Sequence, residues 1–244
     1  MKIVGLSGSS VGTKTRTAMD YTIKTVKKNY PDTEVTLIDL AEYDVQFSDG
    51  RDYWEYEGDT AYVARTVMEA DAIIIGTPIF QASIPATLKN IFDLLPVNAF
   101  RDKVVSMLVT AGSPKHYLIA EQQLKPILSY MKAQVVQAYV FIEEKDFYRK
   151  EITNDDVIFR IERLVEDTVI LTETYTKIRE EKGSIRLLAE SIKPTVIIHG
   201  IGSLVTWFVW STHLRQGAYP YFNPEKAGTK GLFPYHPFSV SFLK

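Results

Sequence analysis

Short apolar runs recur along the chain, separated by segments with helical periodicity. Each run is continuous and is bounded by glycine, proline or polar residues, which is typical of strands buried on both faces of a parallel sheet. The runs are Lys2–Leu6, Glu34–Leu40, Ala72–Gly76, Lys103–Val109 and Val135–Ile142. They predict five strands.

Each run is followed by a segment whose apolar residues recur at helical spacing. The predicted helices cover residues 15–29, 60–70, 83–95, 117–132 and 154–183. Ser83 is the predicted N-cap of the third helix. The last helix is predicted to end at Gly183 and to place on its inner face Ile158, Ile161, Val165, Thr168 and Leu171. Strands alternating with helices predict an α/β fold in three layers, with a five-stranded parallel sheet covered on both faces.

The first strand runs directly into a loop rich in glycine and hydroxyl groups, from Gly5 to Thr17. A loop between a strand and a helix N-terminus presents unpaired backbone N–H groups and the positive end of the helix dipole. Ser9, Thr13 and Thr15 add hydroxyl donors, and Lys14 adds a full positive charge. The loop is therefore predicted to hold a phosphate group.

Three phosphate-binding patterns compete for this loop, and an ordinary capped turn without a ligand is the fourth interpretation. The dinucleotide pattern G-x-G-x-x-G fails on the glycine spacing. The nucleoside-triphosphate pattern G-x-x-x-x-G-K-[ST] fits residues 8–15 except that Thr13 replaces its second glycine. The loop also fits a hydroxyl-rich turn around the phosphate of flavin mononucleotide (FMN).

Two further loops follow predicted strands, at residues 76–83 and 110–116. Pro78 fixes a turn in the first of them, and Gly112 in the second permits close approach to a flat ring. Open parallel sheets bind ligands at the carboxyl ends of their strands. We therefore expect all three loops to face one ligand.

Together these stretches resemble the NAD(P)H-dependent FMN reductases, which have the flavodoxin-like fold. The resemblance lies in Gly8-Ser9 with its hydroxyl-rich turn, in the run from Gly76 to Leu94, and in Gly112-Ser113 with His116 and Leu124–Leu128. It covers about residues 1–180 and implies bound FMN, with NADPH or NADH as the hydride donor. The chain has Phe80 where the family often has tyrosine.

The resemblance also implies a role for each loop. The first would bind the FMN phosphate, the second would run along the isoalloxazine ring, and the third would border the ring's other side. The cofactor-binding residues predicted in this way are Ser9, Thr13, Lys14, Thr15, Pro78, Ile79, Phe80, Gln81, Gly112 and Ser113. No catalytic acid or base is predicted, because FMN itself carries the hydride chemistry. His116 is either a loop residue bonded to backbone or a neighbour of the flavin or nicotinamide.

Two other functions stay open on the residues alone. A P-loop-like nucleotide phosphohydrolase would use Lys14 on the phosphates, Thr15 on Mg²⁺ and Asp39 as the acidic metal partner. A flavodoxin-like electron carrier would share the fold and lack NAD(P)H activity. For a reductase, the final acceptor is expected to be a small molecule such as free flavin, a quinone or an azo compound.

Composition and charge limit the kinds of site, partner and cellular compartment that we expect. The 244 residues carry a net charge of −2 and no cysteine, which excludes disulfides, thiolate metal sites and a cysteine nucleophile. The charge gives no reason to expect a nucleic-acid partner. The chain begins in a strand and not in a signal peptide, and we expect a cytoplasmic protein.

Residues 184–244 are predicted to be a C-terminal extension of the 1–183 reductase domain. They hold six Lys or Arg against two acids, and five of the eleven prolines. Val196–Trp210 is apolar, but it is shorter than the roughly 20 residues needed to span a bilayer. Membrane contact by the extension is therefore not favoured over a subunit-contact arm or a terminus not selected for folding. We expect a homodimer or homotetramer, with Tyr53, Trp54, Tyr56 and the helix 88–95 as contact elements.

Overall fold

The computed structural model describes residues 1–191. Five helices and eight strands are assigned there, together with short 3₁₀ and π segments. The strands are β1 (Lys2–Ser7), β2 (Glu34–Asp39), β3 (Ala72–Pro78), β4 (Val104–Ala111), β5 (Gln134–Val135), β6 (Val140–Glu143), β7 (Phe147–Tyr148) and β8 (Glu151–Ile152). The helices are α1 (Lys14–Asn29), α2 (Gly58–Glu69), α3 (Ala86–Leu94), α4 (Lys125–Tyr130) and α5 (Asp155–Ser191).

The main sheet is parallel, with the strand order β2-β1-β3-β4 followed by a fifth position shared by β5 and β6. This is the order of the flavodoxin-like folds. The predicted parallel sheet is therefore confirmed, with six strands in five positions where five strands were predicted. Its fifth strand is split, because residues 136–139 leave the ladder between β5 and β6.

Alternate side chains of the buried strands pack against different helices, which shows which helices cover each face of the sheet. Ile73 and Ile75 of β3 belong to the apolar cluster that also holds Val63 of α2 and Leu88 of α3. Ala72 and Ile74 belong to the opposite cluster, built with Met19 of α1 and Ile161 of α5. The predicted three layers are confirmed, since successive strand residues point to opposite faces.

The helical predictions need three corrections. Ser83 is not the N-cap of α3, because that helix begins at Ala86 behind Pro85. The predicted helix 117–132 is not continuous. It is replaced by a π segment over Ala120–Leu124 followed by α4, and a 3₁₀ turn at 114–116 comes before it. Gly183 does not end the last helix, since α5 continues to Ser191.

Residues 1–189 form one compact unit. The predictions for Val196–Trp210 and the rest of the extension beyond 191 lie outside the described residues, and the division at residue 183 stays a prediction. Between residues 1 and 191, no helix is long and apolar enough to cross a bilayer.

Candidate functional site

A cleft of about 350 Å³ opens at the carboxyl ends of β1, β3, β4 and β6. It contains residues from all three predicted loops. Seven of the ten predicted cofactor-binding residues line it, namely Thr13, Lys14, Thr15, Pro78, Ile79, Phe80 and Gly112. The expectation that the three loops face one site agrees with this geometry.

One end of the cleft is the start of α1. Gly12 turns the chain with a φ of +84°, a left-handed value that glycine adopts without strain. Thr13 is the N-cap, yet its side chain makes no capping hydrogen bond. The first-turn N–H groups have no partner within the helix, so they stay available to a ligand in the cleft.

Thr15 ties this helix start to the sheet. Its Oγ1 lies 2.7 Å from Oγ1 of Thr110 at the end of β4. Both side chains are buried, at 6% and 5% exposure, so each hydroxyl depends on the other for a partner. The pair therefore fixes the first turn of α1 against the neighbouring strand end.

Lys14 forms an ion pair with Glu144 on the opposite wall of the cleft. Glu144 follows directly after β6, and its hydrogen bond from Lys14 lowers the pKa of its carboxyl. A Cβ atom on Gly112 would lie 3.9 Å from Oε2 of Glu144. The carboxylate thus extends from the first loop to the third.

The second loop is a tight turn beside Pro78 and Ile79. The N–H of Phe80 donates to the carbonyl of Ser83 and the N–H of Ser83 donates back to Phe80, each at 2.9 Å. The two central residues, Gln81 and Ala82, have φ values of +48° and +57°. Residues other than glycine or asparagine are uncommon in this turn type, so the surroundings must hold it.

Gln123, on the π segment, supplies that support. It accepts a hydrogen bond from the hydroxyl of Ser83, and its Nε2 donates to the carbonyl of Ala82 at 3.2 Å. The N–H of Ile79 adds a third tie by donating to the carbonyl of Thr110 at 3.0 Å. The second loop is therefore anchored from two sides, while the ring of Phe80 remains 42% exposed.

Three predicted residues do not line the cleft. Ser9 is buried and bonds locally, with its hydroxyl donating to the carbonyl of Val11 at 2.7 Å. Gln81 occupies the strained turn, and Ser113 caps the 3₁₀ turn that contains His116 by accepting from the N–H of Lys115. His116 itself is not among the lining residues.

Sequence reasoning missed part of the wall. The residues that line the cleft without having been predicted are Val11, Gly12, Thr110, Ala111, Ile142, Glu144 and Phe147. Val11, Gly12, Thr110 and Ala111 lie in or beside the predicted first and third loops, although they were not named as contacts. Ile142, Glu144 and Phe147 lie at and after the end of the fifth strand, where no ligand loop was predicted. The rule that strand carboxyl ends form the ligand site applies to that strand as well.

The arrangement around Asp39 bears on the phosphohydrolase alternative. The Asp39 carboxylate is buried and accepts from Arg16 at 2.7 Å, and Arg16 also pairs with Glu42 at 2.8 Å. Asp39 does not line the cleft, and the hydroxyl of Thr15 already has a partner. Over residues 1–191, no group of three or more His, Asp or Glu side chains is arranged to hold a metal ion.

Comparison with known proteins agrees with the fold and the site. The family model described as NADPH-dependent FMN reductase matches residues 1–147. The chain is 40% identical over 170 residues to an NAD(P)H-dependent FAD/FMN reductase of Geobacillus thermodenitrificans, covering 69% of this chain and 92% of that one. It is 27% identical over 177 residues to the NADH-dependent FMN reductase SfnF of Pseudomonas fluorescens, covering 72% and 95%.

Solved structures give the same result. An apo NADH:FMN oxidoreductase matches with a TM-score of 0.57 at 25% identity, over 68% of this chain and 86% of that one. Flavodoxin 1 of Bacillus cereus matches with a TM-score of 0.50 at 16% identity, over 69% and 97%, which shows the fold alone. The predicted family and flavodoxin-like fold are confirmed, and the flavin interpretation is favoured over the phosphohydrolase. The chain belongs to the NADPH-dependent FMN reductase family of oxidoreductases.

Proposed function

We propose that this protein binds FMN in the cleft, reduces it with NADPH or NADH, and passes the electrons to a small-molecule acceptor. One observation carries the proposal. Three strand-end loops converge on a single cleft, which is lined both by the open N-terminus of α1 and by the apolar residues Pro78, Ile79 and Phe80. A flavin mononucleotide has the matching polarity, with a phosphate at one end and a flat ring at the other.

The start of α1 suits the phosphate. Its free N–H groups and dipole favour an anion, and the hydroxyl of Thr13 and the ammonium group of Lys14 reach the same space. The Thr15–Thr110 pair holds the turn in place before any ligand arrives.

The second and third loops suit the ring. Pro78, Ile79 and Phe80 form an apolar wall, and Gly112 has no side chain to obstruct a flat ligand. When bound, FMN supplies the hydride-accepting and electron-transferring chemistry. The chain's own task is to hold the ring beside a nicotinamide and to keep its orientation. No side chain is assigned as an acid or base.

The proposal is tested first by flavin binding. We expect the purified protein to bind FMN, with a change in flavin fluorescence, and to oxidise NADPH or NADH when an acceptor is added. A protein that binds no flavin would refute the proposal. Flavin binding without NAD(P)H oxidation would identify an electron carrier instead, and a panel of flavins, quinones and azo compounds with both nicotinamides would define the acceptor.

The phosphate placement has its own test. A charge-assisted hydrogen bond contributes about 1.5–3 kcal/mol, so Lys14→Ala should bind FMN about tenfold more weakly or worse. Lys24→Ala is the matched control, because it removes an exposed lysine from the same helix away from the cleft. Retention of wild-type FMN affinity in Lys14→Ala would exclude this placement.

We also propose a cytoplasmic homodimer or homotetramer that acts without a nucleic-acid partner. The absence of cysteine and the net charge of −2 are consistent with this environment. Trp54 is 58% exposed in the loop before α2, and Val97 and Tyr130 are 52% and 65% exposed beside an apolar groove between α3 and α4. Sedimentation as a fully active monomer would contradict the assembly.

A further inference from the structure

We infer that Glu144 competes with the flavin phosphate for Lys14, and that this competition limits how strongly the protein prefers FMN to riboflavin. The inference rests on the proposed flavin function and deepens it, because it assigns a residue that sets affinity at the phosphate end of the ligand. Glu144 belongs to none of the three loops in which the sequence placed ligand contacts.

The ion pair between Lys14 and Glu144 is the first support. Lys14 supplies the charged side chain at the helix N-terminus where a phosphate would bind, and its ammonium group is bonded to Oε1 of Glu144. The side chains are 42% and 68% exposed, so the pair is accessible to solvent and to a ligand. A phosphate bonded to Lys14 would have to displace this carboxylate.

The position of the Glu144 backbone is the second support. Glu144 opens a 3₁₀ turn in which the N–H of Glu143 donates to Oδ2 of Asp146 at 2.8 Å. Asp146 is buried, and its other oxygen accepts from Nδ2 of Asn154 at 2.7 Å. The turn is therefore anchored, and the exposed Glu144 side chain extends from a fixed point toward the first loop.

The location of the carboxylate is the third support. Its two oxygens face different elements, with Oε1 on Lys14 and Oε2 on the side of Gly112. It lies in the cleft itself, so it places a negative charge close to the site expected to receive a phosphate dianion. Both the occupied lysine and the like charge oppose a phosphate, while neither acts on a flavin that lacks one.

The consequence is a specific effect of neutralising Glu144. Releasing an exposed ion pair and removing a like charge each change binding modestly, so Glu144→Gln should lower the Kd for FMN about three- to tenfold. Riboflavin, which has the same ring and no phosphate, should change by less than about twofold because no charge pair is involved. The gain for FMN should shrink in about 0.5 M salt, where exposed charges are screened.

The experiment is a fluorescence titration of wild type, Glu144→Gln and Glu144→Ala with FMN and with riboflavin. Glu121→Gln is the matched control, since Glu121 also pairs with a lysine, Lys125 at 3.0 Å, and does not line the cleft. We expect both Glu144 variants to tighten FMN selectively and the control to leave both ligands unchanged. Thermal melting of each variant checks that the fold is retained.

Two results would overturn the inference alone. An unchanged or weaker FMN affinity in both folded Glu144 variants would show that the carboxylate does not compete. An equal gain for FMN and riboflavin would show that Glu144 acts on the ring or on access to the cleft. A wild-type protein that binds neither flavin would instead refute the proposed function, and the inference with it.

Discussion

Replacing Gly76 by alanine tests how closely α1 must approach the sheet for the cleft to form. Gly76 lies in β3, and an added Cβ would lie 2.5 Å from both Cγ and Sδ of Met19 and 3.2 Å from Cγ2 of Thr15. Real Cβ atoms do not approach other atoms to 2.5 Å, so α1 or the Met19 side chain must move. Thr15 also carries the hydroxyl bond to Thr110, so the movement would be transmitted to the cleft.

Two opposing free-energy contributions determine how much Gly76→Ala changes the stability of the fold. Overpacking a well-packed core costs about 1–3 kcal/mol. Removing a glycine from a strand interior returns about 0.5–1 kcal/mol, because the unfolded chain loses backbone freedom. We therefore expect Gly76→Ala to lower the free energy of unfolding by about 1–2 kcal/mol, or roughly 2–8 °C in Tm for a chain of this size. FMN should bind more weakly, since the first turn of α1 is displaced.

Urea unfolding and FMN titration measure both effects, and a matched substitution supplies the control. Gly183→Ala makes the same chemical change within α5, where nothing lies within 4 Å of the added Cβ, so stability should stay constant or rise by up to about 1 kcal/mol. In a double-mutant cycle, Met19→Ala should relieve part of the Gly76→Ala penalty. Wild-type stability and FMN affinity in Gly76→Ala would refute this account of the close approach.

Three further predictions follow from individual contacts. Gln123→Ala removes both bonds to the strained turn, so FMN and riboflavin should weaken together, with the exposed neighbour Gln122→Ala as control in fluorescence titrations. Thr15→Val leaves the buried Thr110 hydroxyl unpaired and should cost about 1–3 kcal/mol in urea unfolding, whereas Thr15→Ser should cost less. Burial raises the pKa of Tyr139, so ionisation favours the unfolded state above about pH 10 and stability falls as pH rises. Tyr139→Phe should flatten that decline in urea unfolding between about pH 9 and pH 11; an unchanged slope would contradict the assignment.

The strands and the three loops could be predicted because the sequence features that indicate them are local. Continuous apolar runs such as Ala72–Gly76 require burial on both faces, and that requirement fixes their place in a parallel sheet. The hairpin β7–β8 gave no such signal. Its turn residues, Arg149 and Lys150, have φ values of +45° and +67°. Glycine or asparagine usually occupies such positions and makes the turn predictable, and neither is present here.

The inner face of α5 was predicted in part. Ile161, Val165 and Thr168 are buried as expected, whereas Leu171 is 44% exposed and the buried residue at that turn is Thr172. The Thr168 hydroxyl donates to the carbonyl of Leu164, and the Thr172 hydroxyl donates to the carbonyl of Thr168, each at 2.6 Å. A threonine bonded in this way satisfies its polar group inside the helix and can pack in the core, which hydropathy alone does not indicate.

The register of the fifth strand explains why Glu144 was not predicted to line the cleft. Along β4 the pairing advances three residues, from Val105 to Leu108, while the fifth strand advances five, from Val135 to Val140. The two extra residues keep every side chain on its original face, because the strand repeat is two.

Because of these two extra residues, each position opposite β4 is occupied by a residue that comes two places later in the sequence. Ala111 is therefore paired with Glu143, where an uninterrupted register from β5 would have paired it with Phe141. The next residue, beside the third loop, becomes Glu144 in place of Ile142. A carboxylate thus faces Lys14 because two residues bulge out of a strand, a feature that neither apolar runs nor loop motifs encode.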